Sequence, residues 1–177
     1  MTLQRIRVPM GLVFGLAYLY FCQPNWTAFA VGMLPALLGY GIRIWASGRL
    51  YKWKGLAVAG PYAWTRNPLY LGSFVLGLGF MLASGQLSLL IAFLGLYVLI
   101  YVPVMRREEQ ELISAYTDDY SAYRRRVPLF FPRVPHTRRF DSVQPGFSWP
   151  QVLENREHRT GVGFGLVTLV LLAKLVW

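Results

Sequence analysis

The sequence has few charged residues and especially few acidic ones, and these shortages limit the classes of protein to which it can belong. Of its 177 residues, 15% are charged, against about 25% in an average soluble domain. Cys22 is the one cysteine, so a disulfide-stapled secreted scaffold is excluded. Aromatic residues make up 16% of the chain, which excludes a disordered protein. What the chain has in excess is apolar residues, at 55%, and positive charge, at a formal net +10.

Five long apolar runs divide the chain and predict about five transmembrane helices. They cover residues 8–22, 26–46, 68–84, 87–104 and 161–177. A helix needs about 20 residues to span a bilayer, with a range of about 17–25. Arg43 and Lys174 lie inside runs, near an end, where long side chains snorkel to the interface. Five such runs leave too little polar chain to enclose them in water, so the sequence predicts an all-α polytopic membrane protein.

Positive charge is distributed unevenly between the predicted membrane faces. The links after the first and third runs carry no Lys or Arg, and all but one of the 18 basic residues lie on the opposite side. The positive-inside rule makes that side cytoplasmic. We therefore expect a cytoplasmic N-terminus, an outer C-terminus and cytoplasmic polar chemistry. A possible signal-cleavage site at residues 28–30 lies inside the second run, so we expect the first run to be retained.

The polar chain is concentrated in residues 47–67 and 105–160. Within the second segment, residues 106–126 are predicted to be helical, since an apolar and aromatic stripe recurs at helical steps. The stripe consists of Leu112, Tyr116, Tyr120 and Tyr123. Ser148 is a plausible N-cap for a short interfacial helix in which Trp149, Val152 and Leu153 share a face. That helix would lead into the last span, over about 148–177.

Several weaker patterns are given structural interpretations. Gly11 with Gly15 and Gly161 with Gly165 form GxxxG pairs, which we expect to pack helices within this chain. His136 and His158 are isolated, and no cysteine or acid cluster accompanies them at ligand spacing, so no metal site is predicted. In a membrane protein the basic loops are predicted to face lipid headgroups, so no nucleic-acid partner is expected.

Two clusters call for a functional interpretation. Tyr62, Arg66 and Tyr70 belong to the segment 60–72, at the cytoplasmic start of the third run, where Asn67 opens a helix. The acidic pair Glu108-Glu109 lies just after the fourth run, at its cytoplasmic end. Runs three and four are joined by a two-residue link, so both clusters are expected at one membrane face. The two carboxylates either pair locally with residues 106–107, which are arginines, or face a bound cation.

The order of these motifs resembles that of a family of integral membrane methyltransferases. The family includes the isoprenylcysteine carboxyl methyltransferases and the phospholipid methyltransferases. The resemblance covers about residues 54–132: Gly-Pro-Tyr at 60–62, Arg-Asn-Pro-Leu-Tyr-Leu-Gly at 66–72, Glu-Glu at 108–109, and Tyr-x-x-Tyr followed by a basic triplet and Val-Pro at 120–128. It implies one domain over residues 1–177, with a cytoplasmic cofactor-binding cap and a core at about 47–135.

The resemblance implies methyl transfer from S-adenosylmethionine to a lipid or lipidated acceptor in the bilayer, with no obligate protein partner evident. The cofactor-binding residues it implies are Lys54, Gly55, Leu56, Ala57, Gly60, Tyr62, Asn67, Pro68, Leu69, Tyr70 and Glu108. The catalytic residues it implies are Arg66, Glu108 and Glu109, where the acids offset the cationic cofactor and Arg66 or the helix start at Asn67 holds its carboxylate. The chain departs from the family at Lys54 and Asn67, often His, and at Thr117, usually Gly.

The methyl acceptor and two rival classes stay open. In the isoprenylcysteine enzymes an Arg four residues before the first Glu contacts the substrate carboxylate, and here that position is Val104. This departure predicts that a prenylated cysteine is a poor substrate and that a lipid with a neutral or amine acceptor is a better one. A membrane sterol-type reductase using a nicotinamide cofactor is the first alternative, since the basic triplet 124–126 would suit a nucleotide phosphate. A non-catalytic membrane scaffold or transporter is the second.

Overall fold

The fold is known from a computed structural model that describes residues 3–51, 55–134 and 145–177, and within these ranges it contains no β-strand. The helices are α1 Leu3–Phe21, α2 Trp26–Ser47, α3 Pro68–Ala83, α4 Leu87–Arg126, α5 Trp149–Glu154 and α6 His158–Val176. A 3-10 turn, Gly60–Ala63, precedes α3. The all-α prediction is therefore confirmed for the described part of the chain.

Three of the helices, α2, α4 and α6, are long and apolar enough to cross a membrane. The apolar part of α1, Pro9–Phe21, and the whole of α3 are shorter. An integral membrane protein agrees with these helices, while the number of spans and their orientation remain predictions.

The longest helix, α4, joins the fourth apolar run to the polar residues 106–126, which were predicted to be helical. It has 40 residues and one interruption, at Thr117, where φ is 33° and ψ is −98°. A β-branched residue seldom adopts a positive φ, because its side chain then crowds the backbone. The strained position is the one at which the resembling family has glycine.

Helices α2 and α3 pack with their backbones in contact, because glycines face each other at two levels. A Cβ on Gly79 would collide with the backbone nitrogen of Ala36, and one on Gly39 with that of Leu76. Gly32 of α2 lies opposite Gly79, and Gly72 of α3 lies opposite Gly39. This pair positions the start of α3, where the predicted cofactor motif lies.

The GxxxG pairs singled out in the sequence do not make this contact. A Cβ on Gly11 or Gly15 would have no heavy atom of another element within 4 Å, so the expectation that these glycines pack within the chain is wrong. Of the second pair, Gly161 lies against the ring of Tyr40, whereas Gly165 again meets nothing.

Arg43, expected to snorkel, instead forms a partly buried ion pair that ties α2 to the start of α6. Its Nε donates to Glu157 Oε2 at 3.1 Å, and its Nη1 donates to the hydroxyl of Ser73 and to the carbonyl of Leu69 at 3.3 Å. Glu157 is only 5% exposed. The charge of Arg43 is therefore neutralised inside the protein, between α2, α3 and α6.

The short helix predicted to begin after Ser148 is present as α5. Ser148 precedes it, although its side chain makes no capping hydrogen bond. Trp149 and Leu153 are exposed while Val152 is buried, so the three do not share one face as expected. Val152 packs inward, and the exposed pair is left to face the surroundings.

Candidate functional site

The α3–α4 hairpin brings the two polar clusters together, as the sequence predicted. The hydroxyl of Tyr70, in the first turn of α3, donates to Glu108 Oε1 at 2.6 Å. Arg66, just before α3, donates from Nη1 to Glu109 Oε1. Both carboxylates of the acidic pair therefore meet residues of the 60–72 segment.

Glu109 is held by two cations and is largely buried. Besides Arg66, Arg124 reaches it from the distal part of α4, with its Nε 3.0 Å from Glu109 Oε1. The side chains of Arg66 and Glu109 are 9% and 12% exposed. The local pairing considered from the sequence is not formed by Arg107, which pairs with Glu111 at 3.0 Å. Glu109 thus already has its counter-charges within the protein.

Arg66 is fixed as a cation by the same contacts. Burial alone would lower the pKa of Arg66, but hydrogen bonds to Glu109 and Tyr120 raise it overall. The bond to the Tyr120 hydroxyl is 3.3 Å long. The Nη1 of Arg66 is therefore committed to internal partners, and its Nε is buried with no hydrogen-bond partner.

Glu108 has a different environment from its neighbour, because adjacent residues of a helix point about 100° apart. Its described partner is the neutral hydroxyl of Tyr70, and it forms no ion pair with any residue of the described ranges. The ring of Tyr70 lies edge-on to Tyr101 at 5.5 Å, and Tyr101 stacks on Tyr97 at 4.3 Å. The Glu108 carboxylate thus lies among aromatic rings, an environment in which proteins bind cations.

The loop 55–67 is attached to the far end of α4 and to the segment after it. The hydroxyl of Tyr123 donates to the carbonyl of Tyr62 at 2.6 Å. The side-chain amide of Asn67 donates to the carbonyl of Leu129 at 3.0 Å. The predicted stripe on α4 packs beneath this loop, with Val58 buried against Tyr120, Tyr123 and Val127 and with Leu56, Leu112 and Tyr116 beside it. The loop is therefore held close to the two glutamates.

Three buried side-chain atoms in the described ranges have no hydrogen-bond partner: Arg49 Nε, Tyr62 Oη and Arg66 Nε. All three lie in or just before the predicted cofactor segment. Burial raises the pKa of the Tyr62 phenol, and the charges of Glu108 and Glu157 raise it further, so it stays a donor at neutral pH. Buried donors without acceptors are rare in native proteins, so these three atoms call for an acceptor from bound water or from a ligand.

The remaining predicted residues occupy the same region. Gly55 and Gly60 have φ of 86° and 64°, so both turns require glycine-like backbone freedom. Leu56 packs into the cluster beneath the loop, and Ala57 is next to it in the chain. Pro68, buried, opens α3, and the carbonyl of Leu69 accepts from Arg43. Lys54 lies outside the described residues.

Two polar residues near this site, Arg49 and Glu157, were missed in the sequence. Neither stood in a recognisable motif, and only the fold brings them to the 60–72 segment. No group of three or more metal-binding side chains occurs in the ranges described, and His136 lies outside them.

This geometry defines the class of the protein: a helical membrane protein with a polar site at one end of its α3–α4 hairpin. Residues 27–119, more than half of the chain, match the sequence model of the phospholipid methyltransferase family. The chain belongs to that family.

Curated relatives include two bacterial metal-resistance proteins and one fungal enzyme. A cobalt-zinc-cadmium resistance protein of Cupriavidus metallidurans is 35% identical over 76% of this chain, and a nickel-cobalt-cadmium resistance protein of Alcaligenes xylosoxydans xylosoxydans is 38% identical over 59%. The protein-S-isoprenylcysteine O-methyltransferase of Schizosaccharomyces pombe is 31% identical over 45%. The matched regions span 66%, 49% and 34% of these relatives. No solved structure matches the chain.

Proposed function

We propose that the protein is an S-adenosylmethionine-dependent methyltransferase whose acceptor is a lipid of the bilayer. The observation that carries the proposal is the asymmetry of the acidic pair: Glu109 is neutralised by two arginines, whereas Glu108 accepts from the neutral hydroxyl of Tyr70 and forms no ion pair within the described residues. A cationic ligand would supply a counter-charge to that carboxylate. Membership of the family makes S-adenosylmethionine the expected cation.

The residues present fit the chemical groups of that cofactor. S-adenosylmethionine carries a sulfonium and an ammonium against one carboxylate, so it is a net cation that Glu108 would attract. The rings of Tyr70 and Tyr101 lie beside Glu108, where the sulfonium would bind, and the buried hydroxyl of Tyr62 offers a hydrogen bond. The glycines at 55 and 60 allow close approach of the backbone. The cofactor when bound would supply an already activated methyl group.

The protein's own part is then mostly positioning and exclusion of water. An amine acceptor must lose a proton before it is methylated, and Glu108 is the carboxylate available to take it. Glu109 is better placed to hold Arg66 and the loop than to exchange protons, because it has two cationic partners.

The environment of α4 bears on the acceptor. Val104 is buried at 4% exposure, and residues 106–107, both arginines, are exposed. A valine at position 104 offers a substrate carboxylate no bidentate partner, and the two neighbouring arginines are exposed. We therefore propose a lipid with a neutral or amine acceptor. Competition between a farnesylcysteine analogue and phosphatidylethanolamine tests this, and efficient ester formation on the former would refute it.

We also propose five spans, with the N-terminus and the cofactor site cytoplasmic. The test uses single cysteines in a Cys22→Ser background, at Gln86 in the α3–α4 link and at Ser114 on the exposed face of α4. An impermeant thiol reagent should label Gln86→Cys in intact cells and Ser114→Cys only after permeabilisation. The reverse pattern would contradict the assignment from charge.

The activity itself is tested with purified protein, labelled S-adenosylmethionine and a total lipid extract. We expect label in one lipid class, and its loss in Glu108→Gln, with Glu111→Gln on the same helix as the matched control. A parallel titration with nicotinamide cofactors addresses the reductase alternative. Binding of a nicotinamide cofactor without binding of S-adenosylmethionine would overturn the proposal.

A further inference from the structure

Arg49, two residues after the end of α2, is a basic residue to which neither the motif nor the resemblance gives a role. Its side chain lies against the first residue of the 3-10 turn: a Cβ on Gly60 would be 3.0 Å from Arg49 Cδ and 3.1 Å from its Nε. Gly60 has a φ of 64°, a conformation that favours glycine. Because glycine has no side chain, it also leaves the space that Arg49 fills. The guanidinium is thereby placed beside the Gly-Pro-Tyr turn.

The Nε of Arg49 is buried and donates to no atom of the protein. No acidic residue of the described ranges forms an ion pair with Arg49. A buried guanidinium N–H without an acceptor is costly, and a planar fork of donors is the group that best recognises a carboxylate. Arg49 therefore keeps a buried donor that no group in the described part of the protein uses.

The other two candidates for holding a ligand carboxylate are less suitable. Arg66 also has an unpartnered Nε, but its Nη1 is bonded to Glu109, whose charge would repel a second carboxylate. The start of α3 adjoins Tyr70 and hence Glu108, which would repel it in the same way. Arg49 lies against Gly60 and forms no ion pair with an acid of the described residues.

We propose that Arg49 binds the carboxylate of the S-adenosylmethionine amino-acid moiety. This inference rests on the proposed function and adds a specificity-determining residue to it. Glu108 and Arg49 would then recognise opposite charges of one ligand, which orients the ligand as well as attracting it. A lipid phosphate could present similar oxyanion chemistry, so the test must separate the two sources.

The test compares two ligands that differ in the amino-acid moiety. S-adenosylhomocysteine carries the carboxylate and the ammonium, whereas 5′-methylthioadenosine lacks both. Arg49→Gln should weaken binding of S-adenosylhomocysteine about 10- to 100-fold, because a charged hydrogen bond is lost. Its binding of 5′-methylthioadenosine should change less than about threefold. Arg49→Lys, which keeps the charge without the fork, should be intermediate, and Arg107→Gln is the exposed control.

Calorimetry in a neutral detergent and in bilayers containing phosphatidylglycerol separates the two anions. A loss seen in both media supports the cofactor carboxylate, and a loss confined to the anionic bilayer overturns the proposal in favour of a lipid phosphate. Equal weakening of both ligands, or no weakening of either, overturns the role of Arg49 alone. Failure of the unsubstituted protein to bind S-adenosylhomocysteine would overturn the proposed function, and the role of Arg49 with it.

Discussion

Replacing each member of the acidic pair by glutamine should separate ligand binding from stability. In Glu108→Gln the amide oxygen can still accept the hydrogen bond from Tyr70, so the free energy of unfolding should fall by less than about 1 kcal/mol. The lost charge faces the proposed cationic ligand. Removing one partner of a desolvated charge pair costs about 2–4 kcal/mol of binding, or roughly 30- to 900-fold in affinity.

Glu109→Gln should have the opposite profile. It leaves Arg66, whose side chain is 9% exposed, without its main counter-charge. Breaking a buried pair costs about 3–5 kcal/mol. The lower end of that range applies here, because the hydroxyl of Tyr120 and the new amide oxygen still accept from Arg66.

The two effects are measured on the same samples, by thermal unfolding in detergent and by calorimetric titration with S-adenosylmethionine, which carries the sulfonium charge. Glu111→Gln on the exposed face of α4 is the control for general loss of a negative charge. A folded Glu108→Gln variant with unchanged affinity would refute the assignment of Glu108. A Glu109→Gln variant as stable as the parent would show that the ion pair with Arg66 contributes nothing to the fold.

Three further changes test the packing and the loop. Gly79→Leu should destabilise the protein by at least about 1–3 kcal/mol through overpacking against α2, whereas Gly15→Leu, in open space, should leave the midpoint of thermal unfolding unchanged. Thr117→Gly should raise that midpoint, because it relieves a positive φ whose strain costs roughly 1–3 kcal/mol. The greater conformational entropy that glycine loses on folding offsets part of this gain; a lower midpoint would refute the strain. Because the folded pKa of Tyr62 is raised, its contribution to stability holds at neutral pH and declines as pH passes the ordinary value of about 10. Tyr62→Phe should therefore weaken the loss of stability above pH 10, measured by unfolding at several pH values, and reduce affinity for S-adenosylhomocysteine if the hydroxyl contacts it.

The sequence was sufficient where one local pattern decides the structure. The stripe from Leu112 to Tyr123 predicted both the helix and its buried face, because the spacing of apolar side chains is a property of the helix alone. The meeting of Tyr70 and Glu108 followed from the two-residue link between the third and fourth apolar runs, which is too short for any arrangement except an antiparallel hairpin.

The sequence was insufficient where a partner lies far along the chain. Glu157 is 114 residues from Arg43, and nothing local distinguishes it from other charged residues near the last span. The packing glycines could have been found, since Gly32 and Gly39, like Gly72 and Gly79, are two helical turns apart. The shorter GxxxG spacing drew attention to Gly11 and Gly15 instead. Arg49 could not have been selected, because its role depends on the space left by Gly60.

Helix α3 is short relative to a membrane, although its partner α2 is long enough to cross one. The 16 residues of α3 rise about 24 Å, whereas the hydrocarbon layer of a typical bilayer is about 30 Å thick. If α3 spans the bilayer as proposed, this hydrophobic mismatch would be met by local thinning of the bilayer or by a start of α3 below the level of the headgroups. Either adjustment would bring a lipid headgroup and the polar end of the hairpin to the same depth, without requiring the lipid to leave its leaflet.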